Sequence, residues 1–246
     1  MKALISIITP NYNASKFVAE TIKSVLNQTY ENWELIIVDD CSTDDSVAII
    51  ENFSKSDVRI KLINLTVNSG PAIARNKAIE LSKGAYIAFL DSDDRWQPNK
   101  LEIQLRFMQK RNIALSFTSY YAVNEQRENK KLLIAKEEVT YKNLLTNNYI
   151  GCLTAMYSIQ HLGRVYFPLV SKRQDWALWL KITRNNVIAH GIQQPLAWYT
   201  RRDASVSSNK FKLLKYNWRI YREFENLNRM KSMYYFVQLF FKKVLK

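Results

Sequence analysis

Over the first ninety residues, four short apolar runs alternate with three stretches of helical period. This alternation restricts the chain more than any other feature. "ALISIIT" (3–9), "WELIIVDD" (33–40), "RIKLINL" (59–65) and "AYIAFLD" (85–91) read as strands buried on both faces. Between them, "SKFVAETIKSVLNQT" (15–29) repeats apolar residues at Phe17, Val18, Ile22, Val25 and Leu26, with Ser15 or Asn13 as its N-cap. "STDDSVAIIENFSK" (42–55) opens with cap-type residues and acid. "GPAIARNKAIELSKG" (70–84) has Pro71 in its first turn and Gly84 just past its end. Parallel strands need a crossover of about a dozen residues. The βαβαβαβ order therefore predicts an α/β fold with a mostly parallel central sheet and helices on both faces.

Beyond residue 98 the pattern loosens. "NKLEIQLRFMQKR" (99–111) is an amphipathic helix, and "IALSFTSYYAVN" (113–124) reads as one or two strands. "NEQRENKK" (124–131) is a charged turn, "YKNLLTNN" (141–148) a short helix and "CLTAMYSI" (152–159) a strand. "DWALWLKITRN" (175–185) is a helix, "NVIAHGI" (186–192) and "PLAWYTR" (195–201) are short strands, and "FKLLKYNWRIYREFENL" (211–227) is one long helical segment. No repeat or low-complexity linker divides the chain, so it reads as one domain with two halves.

Of 246 residues, 47% are hydrophobic and only 5 are Gly and 5 Pro, which argues against disorder and fibrous repeats. Cys41 and Cys152 belong to no C-x-x-C pair and fit a reduced, cytoplasmic compartment. The start has no long apolar run followed by a small-residue cleavage site, so no signal peptide is expected. The longest apolar stretch, "MYYFVQLFF" (233–241), falls well short of the ~20 residues that span a bilayer. The net charge of +14 is uneven: residues 1–100 are slightly acidic, whereas 201–246 hold twelve Lys/Arg against three Asp/Glu.

Parallel α/β sheets bind ligands beyond the carboxyl ends of their strands. Three polar clusters directly follow predicted strands: "TPNYN" (9–13), "DDCSTDD" (39–45) and "DSDD" (91–94). Asp91 and Asp93, two apart in an extended stretch, lie on one side. Crowded carboxylates repel and call for a cation, and oxygen ligands select Mg²⁺ or Mn²⁺ rather than zinc. Mg²⁺ completes its shell with water and phosphate, which makes a nucleoside diphosphate compound a sensible occupant. The plainer alternative is a solvated turn capping a helix. Neither G-x-G-x-x-G nor a P-loop sequence is present.

"SIITPNYNASKFVAETIKSVLNQTYENWELIIVDDCSTDDS", "NSGPAIARNKAIE" and "AYIAFLDSDD" in this order resemble the nucleotide-sugar-binding half of the family 2 glycosyltransferases, which have the GT-A fold. The likeness is dense over 3–110 and thinner through "RQDWALWLKI" (173–182) to about residue 210. It implies a GT-A catalytic domain over 1–210, with 1–110 binding the nucleotide sugar and 111–210 the acceptor, and a basic, aromatic helical tail over 211–246. It implies that Pro10 to Asn13, with Tyr12, line the nucleoside base. It also implies that Asp40, or alternatively Asp39, pairs with the base N–H, and that Arg75 lies near base and phosphates. The DxD motif falls on Asp91-Ser92-Asp93, with Asp93 on the metal and Asp91 on ribose or metal-bound water; Asp94 has no firm counterpart. Asp175 inherits the catalytic base, although as an ordinary residue it would cap the helix that follows. Gln174 stands where the family more often has Glu.

The implied reaction is an inverting transfer of a sugar, from a UDP-sugar in the first instance, to a hydroxyl of a glycan or lipid-linked glycan, as in lipopolysaccharide, O-antigen or capsule assembly. His190 in "AHGI" is a candidate extra ligand, though a lone His near an apolar strand is more often structural. Arg201 or Arg202 in "YTRRDASVS" (199–207) would close over the donor phosphates. The tail interleaves aromatic and basic residues, and is either packed on the domain or anchored peripherally to an anionic inner leaflet. Two other classes compete: a metal-dependent nucleotidyltransferase, which would show a Gly-rich basic loop after strand one, and a non-catalytic basic nucleic-acid module. No nucleic-acid recognition motif is present, so no nucleic-acid partner is expected.

Overall fold

Branched apolar runs without polar alternation need cover on both faces, and helices packed on either side of the sheet supply it. In the computed structural model, which describes residues 2–126, 128, 130–201 and 210–244, β1 (Ile5–Asn11) and β2 (Trp33–Asp39) are buried at every position. With β3 (Ile60–Asn64) and β4 (Tyr86–Phe89) they form a parallel array in the order β3-β2-β1-β4. The crossovers are α1 (Val18–Leu26), α2 (Ser46–Ser56) and α3 (Pro71–Leu81). Successive side chains on a strand point to opposite faces, and the cores divide accordingly. Ile5, Ile7, Leu35 and Ile37 pack with Val18, Ile22, Ile50 and with Leu101 and Leu105 of α4 (Lys100–Arg111). Ile8, Ile36, Val38 and Phe89 pack with Ala74, Ala78 and Ile79 and with Trp176 and Trp179 of α7 (Gln174–Thr183). Each such side chain contributes roughly 1.5–3 kcal/mol by leaving water.

The second half extends the same sheet through β9-β6-β10-β5. β5 (Arg95–Trp96), β6 (Leu115–Asn124), β7 (Lys131–Leu133), β8 (Glu138–Val139), β9 (Met156–Ser158) and β10 (Ala189–Arg201) include five antiparallel pairings, all short. The long β6–β10 pairing is parallel, so the sheet is mixed but its longest contacts are parallel. α5 (Tyr141–Thr146), with a Thr140/Asn143 capping box, and the single-turn α6 (Ile159–Leu162) fill connections. The two strands expected over 186–201 are one strand, whose register shifts around Pro195. Pro195 lacks the N–H a regular ladder needs, and the bulge absorbs that.

Three local readings are corrected. Gly84 does not end α3 in a left-handed turn; α3 stops at an extended Ser82. Gly84 is needed for close approach, since a Cβ there would lie 2.6 Å from the Ser6 backbone nitrogen. Neither Ser15 nor Asn13 caps α1. The backbone N–H groups of Ala14 and Ser15 donate instead to Ser46 Oγ and Asp44 Oδ2, both at 2.9 Å. Burial works against the Asp44 charge, yet hydrogen bonds from Ser46 and Ser15 hold its pKa down at about 2. The segment over 211–227 is not one helix: α8 (Lys210–Arg219) passes through a π-turn (Ile220–Phe224) before α9 (Arg229–Val244).

α9 has two apolar faces. Tyr235, Phe236 and Leu239 pack on the domain. Met230, Met233, Tyr234, Val237, Phe240 and Phe241 form an exposed stripe at helical spacing. No helix among the described residues is long and apolar enough to cross a membrane.

Candidate active site

The carboxyl ends of β1, β2 and β4 meet at one edge of the sheet, because Asn11 pairs with Asp39 and Ile8 with Phe89 in register. Above that edge opens a cleft of about 990 Å³, lined by Pro10, Tyr12, Asp40, Arg75, Asp91, Ser92, Asp93 and Asp175 among others. These eight expected site residues thus border a single space, whereas Asn13 and Asp39 do not line it. Tyr12 stands half exposed at its wall.

The two carboxylates at the end of β2 have different tasks. Asp39 is buried and turned into the loop, where it accepts from Asn11 Nδ2 (2.6 Å) and from the Ser42 backbone N–H (2.8 Å) and Oγ (2.5 Å). Asp40 lines the cleft, and its two oxygens accept from the backbone N–H groups of Ser69 (2.7 Å) and Gly70 (2.8 Å) at the start of α3. Each oxygen keeps a second lone pair for an incoming donor. Gly70 takes φ +88°, which glycine adopts at no steric cost just before Pro71.

The turn after β4 is pinned from below. Thr21 Oγ1 on α1 donates to the carbonyls of Ser92 (3.0 Å) and Asp94 (2.7 Å). Asp94 is 1% exposed and accepts from the Thr200 backbone N–H at 2.9 Å, so it clamps β10 against the turn. Asp91 and Asp93 remain toward the cleft. Their charge registers on Tyr199, whose hydroxyl is pushed up to about 12 by burial first and then by Asp94, Asp93 and Asp91.

Arg75 joins the halves of the cleft. It is buried on α3, with Nη2 donating to Asp91 Oδ1 at 2.6 Å and Nη1 to Gln174 Oε1 at 3.0 Å. Burial opposes its charge, but the carboxylates of Asp91 and then Asp175 more than offset this and hold the guanidinium well above its ordinary value. Gln174 therefore works as a neutral acceptor for Arg75. Asp175, in the first turn of α7, accepts from Asn148 Nδ2 at 2.8 Å. Tyr120 lies between the two acidic regions: burial, then Asp94 and Asp175, push its hydroxyl up to about 12. Cys152 lines the cleft between them, and burial raises its thiol well above the usual range.

Asn148, Tyr120 and Cys152 carried no motif in the sequence; only the fold brings them here. His190 faces Glu138 at 3.6 Å across the β8–β10 pairing and does not line the cleft. Arg201 is exposed, and Arg202 lies outside the described residues.

A hard divalent cation fits the donor set. Asp91 and Asp93 offer oxygen only and crowd negative charge against Tyr199, and the buried Arg75 pairs with Asp91. Among the described residues no three carboxylate, imidazole or thiol groups form a ready-made cage. Such an ion would therefore draw the rest of its shell from substrate phosphate and water.

The family profile described as Glycosyl transferase family 2 matches residues 6–163. A Bacillus subtilis protein named as a teichuronic acid biosynthesis glycosyltransferase, TuaG, is 45% identical over 96% of this chain and 94% of its own. The Escherichia coli protein WfgD, named as a UDP-Glc:alpha-D-GlcNAc-diphosphoundecaprenol beta-1,3-glucosyltransferase, is 42% identical over 94% of this chain and 90% of its own. The crystal structure of S. aureus TarS in complex with UDP-GlcNAc superimposes with a TM-score of 0.73 at 21% identity, over 96% of this chain and 71% of that one. That likeness shows a shared GT-A-type fold.

Proposed function

The chain belongs to glycosyl transferase family 2 and is a glycosyltransferase, and on that premise we propose that it moves a hexose, with inversion, from a UDP-sugar to a hydroxyl of a lipid-linked glycan during surface polysaccharide assembly. The observation that carries the reading is the single cleft in which Arg75 ties the acidic turn at Asp91 to the start of the Asp175 helix. The donor and acceptor in WfgD's name support a UDP donor and a diphospholipid-linked acceptor.

In this reading residues 1–210 are the catalytic unit. Pro10 and Tyr12 flank the base, and the free lone pairs of Asp40 accept from it. Asp91 and Ser92 face the ribose and diphosphate, with Arg75 orienting Asp91. Asp93 and Asp91 would hold Mg²⁺ or Mn²⁺, which when bound supplies charge neutralisation to the leaving diphosphate. Asp175, oriented by Asn148, accepts the proton of the acceptor hydroxyl. That oxygen forms its bond to the anomeric carbon on the face opposite the diphosphate, whose bond breaks with the electron pair leaving on the phosphate oxygen. One displacement inverts the anomeric centre.

Residues 211–246 serve the lipid side. The exposed stripe of α9, on a helix with Arg229, Lys231, Lys242 and Lys243 and no acidic residue, supports peripheral binding to an anionic inner leaflet. The test of the whole reading offers a panel of UDP-sugars with Mg²⁺ or Mn²⁺ and an alkyl-diphosphate-linked N-acetylglucosamine. Proton NMR of the product is expected to show the anomeric configuration opposite to that of the donor. A retained configuration, or no product from any UDP-sugar, contradicts it.

A further inference from the structure

The transfer reading places Asp91 and Asp93 at the leaving diphosphate and Asp175 at the incoming hydroxyl, and leaves a side chain between them without a task. Tyr120 on β6 stands half-buried in the cleft wall. Among the described residues nothing hydrogen-bonds its hydroxyl, yet that oxygen is not sealed off and keeps access to solvent.

Two sets of contacts fix where Tyr120 stands. On one side its ring meets Tyr199 edge-on, with centres 6.3 Å apart and planes at 85°. The next residue on that strand, Thr200, donates its backbone N–H to Asp94 at 2.9 Å, in the turn that carries Asp91 and Asp93. On the other side Gly151 makes room for the ring, since a Cβ there would lie 3.3 Å from Tyr120 Cε1. Gly151 follows closely on Asn148, which donates to Asp175. Burial, and after it the charges of Asp94 and Asp175, keep the phenol protonated at neutral pH.

In a direct displacement the anomeric carbon is partly bonded to the departing and the arriving oxygen at once. The transferred hexose must therefore span the gap between the acidic turn and Asp175, and Tyr120 stands in that gap. Ionised carboxylates only accept hydrogen bonds, whereas a phenol O–H can donate one to a sugar oxygen.

We propose that Tyr120 is a donor-specificity residue whose hydroxyl donates a hydrogen bond to one hydroxyl oxygen of the hexose carried by the nucleotide. A site built to hydrogen-bond a substrate hydroxyl discriminates against a sugar that lacks it, because the protein group is then left unpaired. Placing the hexose here rests on the transfer reading above; the position of the open hydroxyl between the two acidic regions does not.

The test is calorimetry with Mg²⁺ on full-length wild type and Tyr120→Phe. The ligands are UDP, UDP-glucose, UDP-galactose, UDP-N-acetylglucosamine, UDP-N-acetylgalactosamine, and the monodeoxy forms of whichever UDP-hexose binds. Phe keeps the ring against Tyr199 and Gly151 and removes only the hydroxyl. Tyr120→Phe is expected to bind that UDP-hexose roughly 3- to 10-fold more weakly, with the affinity for UDP unchanged. One monodeoxy form is expected to lose the same factor on the wild type and nothing further on Tyr120→Phe, which identifies the hydroxyl that is read. An undiminished affinity for the UDP-hexose, an equal loss for UDP, or losses that add for every monodeoxy form overturns the proposal. Those outcomes leave the transfer reading standing, which product formation judges; a wild type that binds no UDP-hexose removes both.

Discussion

Replacing Arg75 by Met deletes the two hydrogen bonds by which this residue ties one half of the cleft to the other. The ion pair to Asp91 is short, at 2.6 Å, and its side chains are only 10% and 29% exposed, so solvent screens it weakly. A charge-assisted hydrogen bond contributes about 1.5–3 kcal/mol, and breaking a buried pair costs about 3–5 kcal/mol because the surviving charge is stranded. With Asp91 partly open to the cleft, Arg75→Met should cost about 2–4 kcal/mol, including the unpaired Gln174 oxygen. For a chain of this size that is about 5–15 °C in Tm. Thermal unfolding of Arg75→Met, Asp91→Asn and the double variant closes a cycle. The expected coupling is about 1.5–3 kcal/mol, with the double variant more stable than the sum of the single losses predicts. Effects that add within about 0.5 kcal/mol would show that the pair does not hold the halves together.

Asp93→Ala should weaken donor binding measured with Mg²⁺ by calorimetry and leave metal-free binding nearly unchanged; equal loss in both conditions argues against its place at the metal. Lys100 is buried with its Nζ 2.7 Å from Gln104 Oε1 and 4.0 Å from the Trp96 ring centre, and burial lowers its pKa from 10.5 to about 7. The unfolded chain then binds the proton more tightly, so stability should rise as pH climbs from about 7 toward 10.5, by up to about 1.4 kcal/mol per unit. Denaturant titrations of Lys100→Met should lack that rise, and an unchanged slope removes Lys100 as its cause. Gly84→Ala should destabilise by several kcal/mol, because the added Cβ meets backbone at 2.6 and 2.9 Å; a melting curve like that of the wild type would mean the backbone yields there. Removing residues 229–246 should abolish flotation with anionic vesicles and spare flotation-independent donor binding; flotation that persists places the contact elsewhere.

The parallel half of the sheet was legible because each of its strands is a continuous apolar run, and a run such as "ELIIVD" has few other places to go. The convergence of these residues on one cleft followed from the same logic, since residues after parallel strands converge whatever their spacing in the chain. What stayed hidden was set by contacts between distant segments. β5 is two residues long and exists because Trp96 and Arg95 pair with β10. Pro195 split one bulged strand into two apparent ones. Gly84 looked like a helix stop, and only the position of Ser6 across the sheet reveals its purpose. Asp39 and Asp40 are adjacent and alike in sequence; the loops they hold separate them. Asn148 is an ordinary asparagine until the fold places it against Asp175.

The division of labour across the cleft is tested most directly by Asp175→Asn, with transfer rate and donor affinity measured on the same preparation. The substitution keeps the hydrogen-bonding shape and removes only the base. The account predicts a fall in kcat of about 10²–10⁴ with the donor Kd unchanged. Full activity in Asp175→Asn, or a donor affinity lost along with it, would contradict it.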